Sequence, residues 1–181
     1  MPAMIDLHCD TLTRSRDRTA GRGPLDDPAF HLSLSKVPAG TRWIQCFAIF
    51  VPDQLRGREA IDFFDRHAAS FDEQMAQNRE RILPCRSFGG MEAALSEGKF
   101  GAVLTVEGGA VLAGQLERVE TIWNAGVRML TLTWNGPNEL ASGHDTPGGL
   151  TDFGREAVAE LERRGGLGDV SHLNDRGFED L

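Results

Sequence analysis

The feature that most limits what this chain can become is the run from Trp43 to Val51, which is almost wholly apolar, rich in aromatic and β-branched side chains, interrupted only by Gln45 and ended by Pro52. A strand wetted on one face alternates polar with apolar residues. A run without alternation needs cover on both faces, the condition met in parallel sheets flanked by helices. Downstream, Ala60, Phe64, His67, Ala68, Phe71 and Met75 recur at helical spacing and predict a long amphipathic helix from Arg58 to about Arg81, with His67 as a core histidine on its apolar stripe.

The alternation continues to the end of the chain. Arg81 to Arg86 reads as a short strand, Gly90 to Glu97 as a short helix, and Gly101 to Val106 as a buried strand closing on Glu107-Gly108-Gly109. Leu112, Leu116, Val119, Ile122 and Trp123 mark a helix stopped at Gly126, and Val127 to Trp134 another strand. After a Gly/Pro-rich loop from Asn135 to Leu150, Thr151 or Asp152 caps a helix, and Leu167 to Ser171 is the last strand. Strand and helix in alternation are the pattern of a parallel α/β fold, and no linker divides residues 1–181, which read as a single domain.

Composition excludes several classes. With 19 Lys plus Arg against 27 Asp plus Glu, the net charge is −8, which argues against a nucleic-acid partner, since phosphate binding needs a basic face. No apolar run approaches the length of a membrane span, and the N-terminus lacks a secretory pattern, which points to a cytoplasmic protein without a membrane partner. Cys9, Cys46 and Cys85 are odd in number and form no Cys-x-x-Cys pair; they read as small buried residues. Arg14, Arg16 and Arg18, in a polar stretch, read as a solvated loop with reach toward an anion.

The chemistry concentrates at strand ends. In Met4-Ile5-Asp6-Leu7-His8-Cys9-Asp10, a period of two sends His8 and Asp10 to one side and Cys9 to the other, presenting an imidazole and a carboxylate to one point, half of a site for a zinc-type ion. Glu107 follows the strand ending at Val106, and His172 follows Asp169-Val170-Ser171. In a barrel of parallel strands all carboxyl ends share one rim, where such enzymes keep their active sites. His144-Asp145, in the Gly/Pro-rich loop, reads chiefly as a plain loop pair, with contact to a substrate at the mouth of the site as the functional alternative.

These segments, together with Gln45 to Val51, Val106-Glu107-Gly108-Gly109, Leu130 to Asn135, Gly149 to Gly154 and Asp169 to His172, resemble in order the signatures of the renal (membrane) dipeptidase family, the M19 metallopeptidases. The resemblance implies a (β/α)8 barrel of the TIM type, two zinc ions and hydrolysis of dipeptides. By the family pattern His8 and Asp10 hold the first metal, Glu107 bridges both as the catalytic carboxylate, and His172 holds the second. A metal pair of this kind activates water and polarises the peptide carbonyl.

Two departures shape the expectation. The family chain is about twice this long and a complete barrel needs roughly 250 residues, so this chain corresponds to an incomplete barrel of roughly the first five strands. The second histidine of the second metal, the arginine for the substrate carboxylate and the proton-shuttling acid then have no counterpart here, and impaired activity of the isolated chain is expected. Where family members place a substrate-contacting histidine after a strand, this chain has Trp134, a substrate-binding candidate alongside His144. The alternatives are an amidohydrolase for another small amide and a non-catalytic barrel fragment; homo-oligomers are compatible with each.

Overall fold

Strands and helices alternate as β1 (Met4–Asp6), α1 (Thr11–Ser15), β2 (Trp43–Phe50), α2 (Gly57–Gln77), β3 (Ile82–Pro84), α3 (Phe88–Ser96), β4 (Phe100–Glu107), α4 (Glu117–Asn124), β5 (Val127–Thr131), α5 (Asp152–Arg163), β6 (Leu167–Asp169) and α6 (Asp175–Glu179). The structure, a computed structural model, describes residues 3–15 and 24–181. The anion-binding reading of Arg16 and Arg18, and the side chain of Arg14, lie outside the described residues. The sheet order is β1-β2-β4-β5-β6, with β3 paired to β4. The pairs β1–β2, β3–β4 and β5–β6 are all parallel and alternate with helices, the (β/α) repeat of the incomplete TIM-type barrel class expected of the sequence.

The chain groups into two compact units, Met1–Ile49 with Arg66–Thr105, and Phe50–Asp65 with Val106–Leu181. In the first unit the doubly covered strand β2 buries Ile44 through Ile49, and Phe47 meets Phe71 of α2 and Phe100 of β4 at ring-centroid distances of 6.4 and 6.3 Å. Each such side chain contributes about 1.5–3 kcal/mol through burial, which is why this run dictates the layer arrangement. His67 is buried on α2, at the position its apolar stripe predicts. β1, by contrast, is a short edge strand with Met4 and Ile5 exposed.

In the second unit the helix predicted from Leu112 begins only at Glu117. Residues Gly109–Leu112 wind as a 3-10 turn, and the left-handed Ala113 (φ 49°) and Gly114 (φ 69°) break the path before α4 can start. The strand predicted to reach Trp134 ends at Thr131, because Leu132 is drawn into other bonds: its carbonyl accepts from the Asn138 side chain at 2.7 Å and from Gly109 N–H at 3.0 Å. α5 starts where its cap dictates. Thr151 Oγ1 accepts the Gly154 N–H at 2.8 Å, and Ala157, Val158 and Leu161 form the buried face.

Candidate active site

The first unit ends β1 in an acid–imidazole pair. The Asp6 carboxylate accepts the His8 N–H at 3.1 Å and turns the chain out of the strand. Pairing with β2 resumes one step later, where Ala48 donates its N–H to the Cys9 carbonyl at 3.0 Å and Thr13 Oγ1 donates to the Ala48 carbonyl at 3.2 Å. His8 and Asp10 flank that pinned residue, and His8 Nε2 lies 3.3 Å from Asp10 Oδ1. Both side chains keep about two fifths of their surface exposed, 43% and 40%. Burial pushes the intervening Cys9 thiol up to about 12, against hydrogen bonds from Thr11, so without a cation it stays protonated at neutral pH.

The second unit builds its pair differently. β4 is buried along its whole length and delivers Glu107 as its last residue, with only 7% of that side chain exposed. The Glu107 carbonyl accepts the Val51 N–H at 2.9 Å, and the next two residues, Gly108 and Gly109, donate to Thr131 and Leu132 carbonyls at 3.0 Å each. Gly108 takes φ 109°, and a Cβ on Gly109 would stand 2.8 Å from the Leu132 carbonyl oxygen, so the paired glycines are a steric requirement of the turn behind Glu107.

Glu107 Oε1 faces His172 Nε2 at 3.1 Å. His172 reaches it from a left-handed backbone, φ 68°, just past β6. Asp169 shapes the approach: one carboxylate oxygen accepts from Thr131 Oγ1 at 2.6 Å, the other from the Ser171 N–H at 3.0 Å and its hydroxyl at 2.8 Å. His144 donates its N–H to the His172 carbonyl at 2.9 Å, and Asn174 Nδ2 bonds the Thr146 and Gly148 carbonyls at 2.8 and 2.9 Å. The loop carrying His144 is thus laced to the segment carrying His172. The two rings lie 6.3 Å apart, and His144 Nε2 is 3.0 Å from Asp145 Oδ1.

Trp134 belongs to the same unit, half-buried with its ring 5.0 Å from that of Phe50. The structure therefore brings His8 to Asp10 in one unit and Glu107 to His172 in the other, with His144 and Trp134 carried on loops of the latter. Asp169 as a brace for the His172 turn was not singled out from sequence, nor were Phe50, Asp53 and Arg56 as supports of the Trp134 loop. Asp169 and Phe50 lay inside recognised segments, but Asp53 and Arg56 carry no local signal beyond a turn after Pro52.

A parallel barrel fold with acids and imidazoles at the carboxyl ends of its strands is the framework on which barrel enzymes place their chemistry. The chain belongs to the membrane dipeptidase family, peptidase family M19, whose pattern it matches over residues 2–181. It is similar to dipeptidase AC, a metallopeptidase of family M19, at 27% identity and TM-score 0.90, covering 98% of this chain and 59% of that one. A metallopeptidase from Rhodobacter sphaeroides, solved with a phosphinate mimic of the dipeptide L-Ala-D-Ala, matches at 25% identity and TM-score 0.90, covering 98% and 61%. An uncharacterised protein encoded in the PQQ-III 3′ region of Acinetobacter calcoaceticus is 26% identical over 173 residues, 82% of this chain and 55% of that protein. The chain thus spans less than two thirds of the length of these relatives. Among the described residues no helix is long and apolar enough to cross a membrane.

Proposed function

We propose that the chain carries the metal-binding strand ends of a zinc-dependent dipeptidase, with His8 and Asp10 on the first ion, Glu107 shared between two ions and His172 on the second. The observation that carries this reading is the 3.1 Å approach of a buried carboxylate to an imidazole at the end of a buried parallel strand. Family membership supports it, as does a metallopeptidase neighbour that was solved with a dipeptide mimic.

The donors fit the group. Two imidazole nitrogens and two carboxylates, with no thiolate, suit a borderline divalent ion of the zinc type. Such ions supply a water of lowered pKa and polarise the scissile carbonyl. The protein's own part is positional. Glu107 is held by its strand and by the double-glycine turn, so its carboxylate is oriented before any ligand arrives, and the Asp169 brace does the same for the His172 turn. His144 and Trp134 contact the substrate in this reading, the first through its exposed imidazole and the second through its ring face.

The test is hydrolysis of a panel of L-L and L-D dipeptides by the zinc-loaded full-length protein, with and without chelator. Cleavage abolished by chelator and restored by zinc is expected. Absence of chelator-sensitive cleavage of every dipeptide would remove the assignment, and cleavage of cyclic amides in their place would favour the amidohydrolase alternative.

A further inference from the structure

Phe50 closes β2 and Trp134 follows β5 by three residues, and their rings meet edge to face, centroids 5.0 Å apart and planes at 76°. Both are half-buried, so each side chain keeps part of its surface accessible. Their placement is tied to Glu107 and His144. Val51, next after Phe50, donates its N–H to the Glu107 carbonyl at 2.9 Å. On the other side a Cβ on Gly143 would stand 2.1 Å from the Trp134 carbonyl oxygen, so only glycine lets the chain pass there on its way to His144.

The loop that bears Trp134 is held by charged side chains spent on main-chain groups. Asp53 Oδ2 accepts the Gly136 N–H at 2.8 Å, and Arg56 Nη2 donates to the Pro137 carbonyl at 2.6 Å. A loop resting on packing alone would not need an acid and a guanidinium bonded to its main chain, the guanidinium also donating to the neighbouring Leu55 carbonyl at 2.8 Å. An aromatic pair fixed in this way beside an acid–imidazole pair presents a rigid apolar wall, which gains contact with an apolar group at small entropic cost.

We propose that Phe50 and Trp134 form the side-chain-selecting wall of the substrate site, favouring dipeptides with one branched aliphatic or aromatic residue, and that Asp53 and Arg56 are its positioning residues. The proposal rests on the dipeptidase reading and adds the substrate class.

The experiment compares kcat/KM of the zinc-loaded full-length protein for Ala-Ala with Leu-Ala and Phe-Ala, and with Ala-Leu and Ala-Phe. One of the two series is expected to exceed Ala-Ala by roughly tenfold or more, the discrimination that one or two extra methylene contacts give. In Trp134→Ala that ratio should fall to within roughly threefold, mainly through KM; Trp134→Phe should retain most of it, and Asp53→Ala should lower it to an intermediate value. Phe50→Leu repeats the test should Trp134→Ala fail to fold, as judged by its thermal transition. A wild-type ratio near one in both series, or a ratio unmoved by both Trp134→Ala and Phe50→Leu, overturns the wall while cleavage of Ala-Ala leaves the dipeptidase reading standing. Absence of cleavage of any dipeptide overturns both.

Discussion

His8 with Asp10 and Glu107 with His172 are both acid–imidazole pairs at strand ends, yet the chain builds them by opposite means. The first pair follows a three-residue edge strand whose Met4 and Ile5 are exposed, and its members keep about two fifths of their surface, 43% and 40%, open. The second grows out of the fully buried β4, and the Glu107 side chain is 93% covered, leaving 7% exposed. Local order differs accordingly. An Asx turn and a resumed ladder bond lead into His8 and Asp10, whereas a covered strand, a double-glycine turn and the two-sided Asp169 brace lead into Glu107 and His172. A carboxylate desolvated before its cation arrives is preorganised for it, and a solvated pair depends on the cation to order it.

The sharpest way to break this contrast is Glu107→Gln, which keeps shape and removes charge. Loss of chelator-sensitive dipeptide hydrolysis by roughly a thousandfold, about 4 kcal/mol, is expected together with weaker zinc binding by competition with a chromophoric chelator. Retained zinc affinity and rate would show that the buried acid is not the shared ligand.

Next in size is the scaffold beneath each pair. Val106→Ala, at a side chain 1% exposed, is expected to cost about 1.5–3 kcal/mol in urea unfolding. Ile5→Ala, at 58% exposed, should stay within about 0.5 kcal/mol. Equal costs would erase the distinction between the two pairs. Gly108→Ala probes the turn behind Glu107. With φ at 109° and a Cβ that would lie 3.1 Å from the Val51 carbonyl oxygen, it should cost about 1–3 kcal/mol and lower zinc affinity, whereas Gly40→Ala shares the positive φ without any neighbour within 4 Å and isolates the backbone cost.

The smallest effect is a pH control outside both pairs. Hydrogen bonds from Arg163 and Arg164 hold the Glu160 carboxyl down at about 2, from an ordinary value of 4.5. A depressed acid stabilises the folded state fully above its unfolded value and loses that contribution as pH falls through its folded one. The difference in melting temperature between wild type and Glu160→Gln should therefore be present at neutral pH and close between about pH 4.5 and about pH 2. A difference that is constant with pH would mean the arginine contacts do not act on the ionised form. Because Arg163 is 67% exposed and Glu160 keeps 21% of its side-chain surface accessible, solvent screens the cluster and the whole effect should be small.

Legibility in the sequence followed the physics of each signal. β2 and β4 declare themselves because burial on both faces leaves an uninterrupted apolar run, and α5 because a threonine cap precedes an amphipathic face. The Glu107-Gly108-Gly109 and Asp169-to-His172 segments stood out as family signatures. The late start of α4 and the early end of β5 were not readable, since a left-handed Ala113 and an Asn138 side chain capturing the Leu132 carbonyl carry no mark in hydrophobic periodicity. Nor did Asp53 or Arg56 carry a mark, because a charged residue in a loop looks the same whether it is solvated or bonded to a main chain more than eighty residues away.

Residue order by itself therefore determined the alternation of elements, the family, and the identity of the acids and imidazoles at strand ends, because periodicity and short motifs are local and covalently encoded. Only the tertiary structure decided that Glu107 is desolvated against His172, that the His144 loop is laced to that same segment, and that Phe50 supports Trp134. Those facts depend on hydrogen bonds and packing between residues far apart in the chain, for which no local pattern exists.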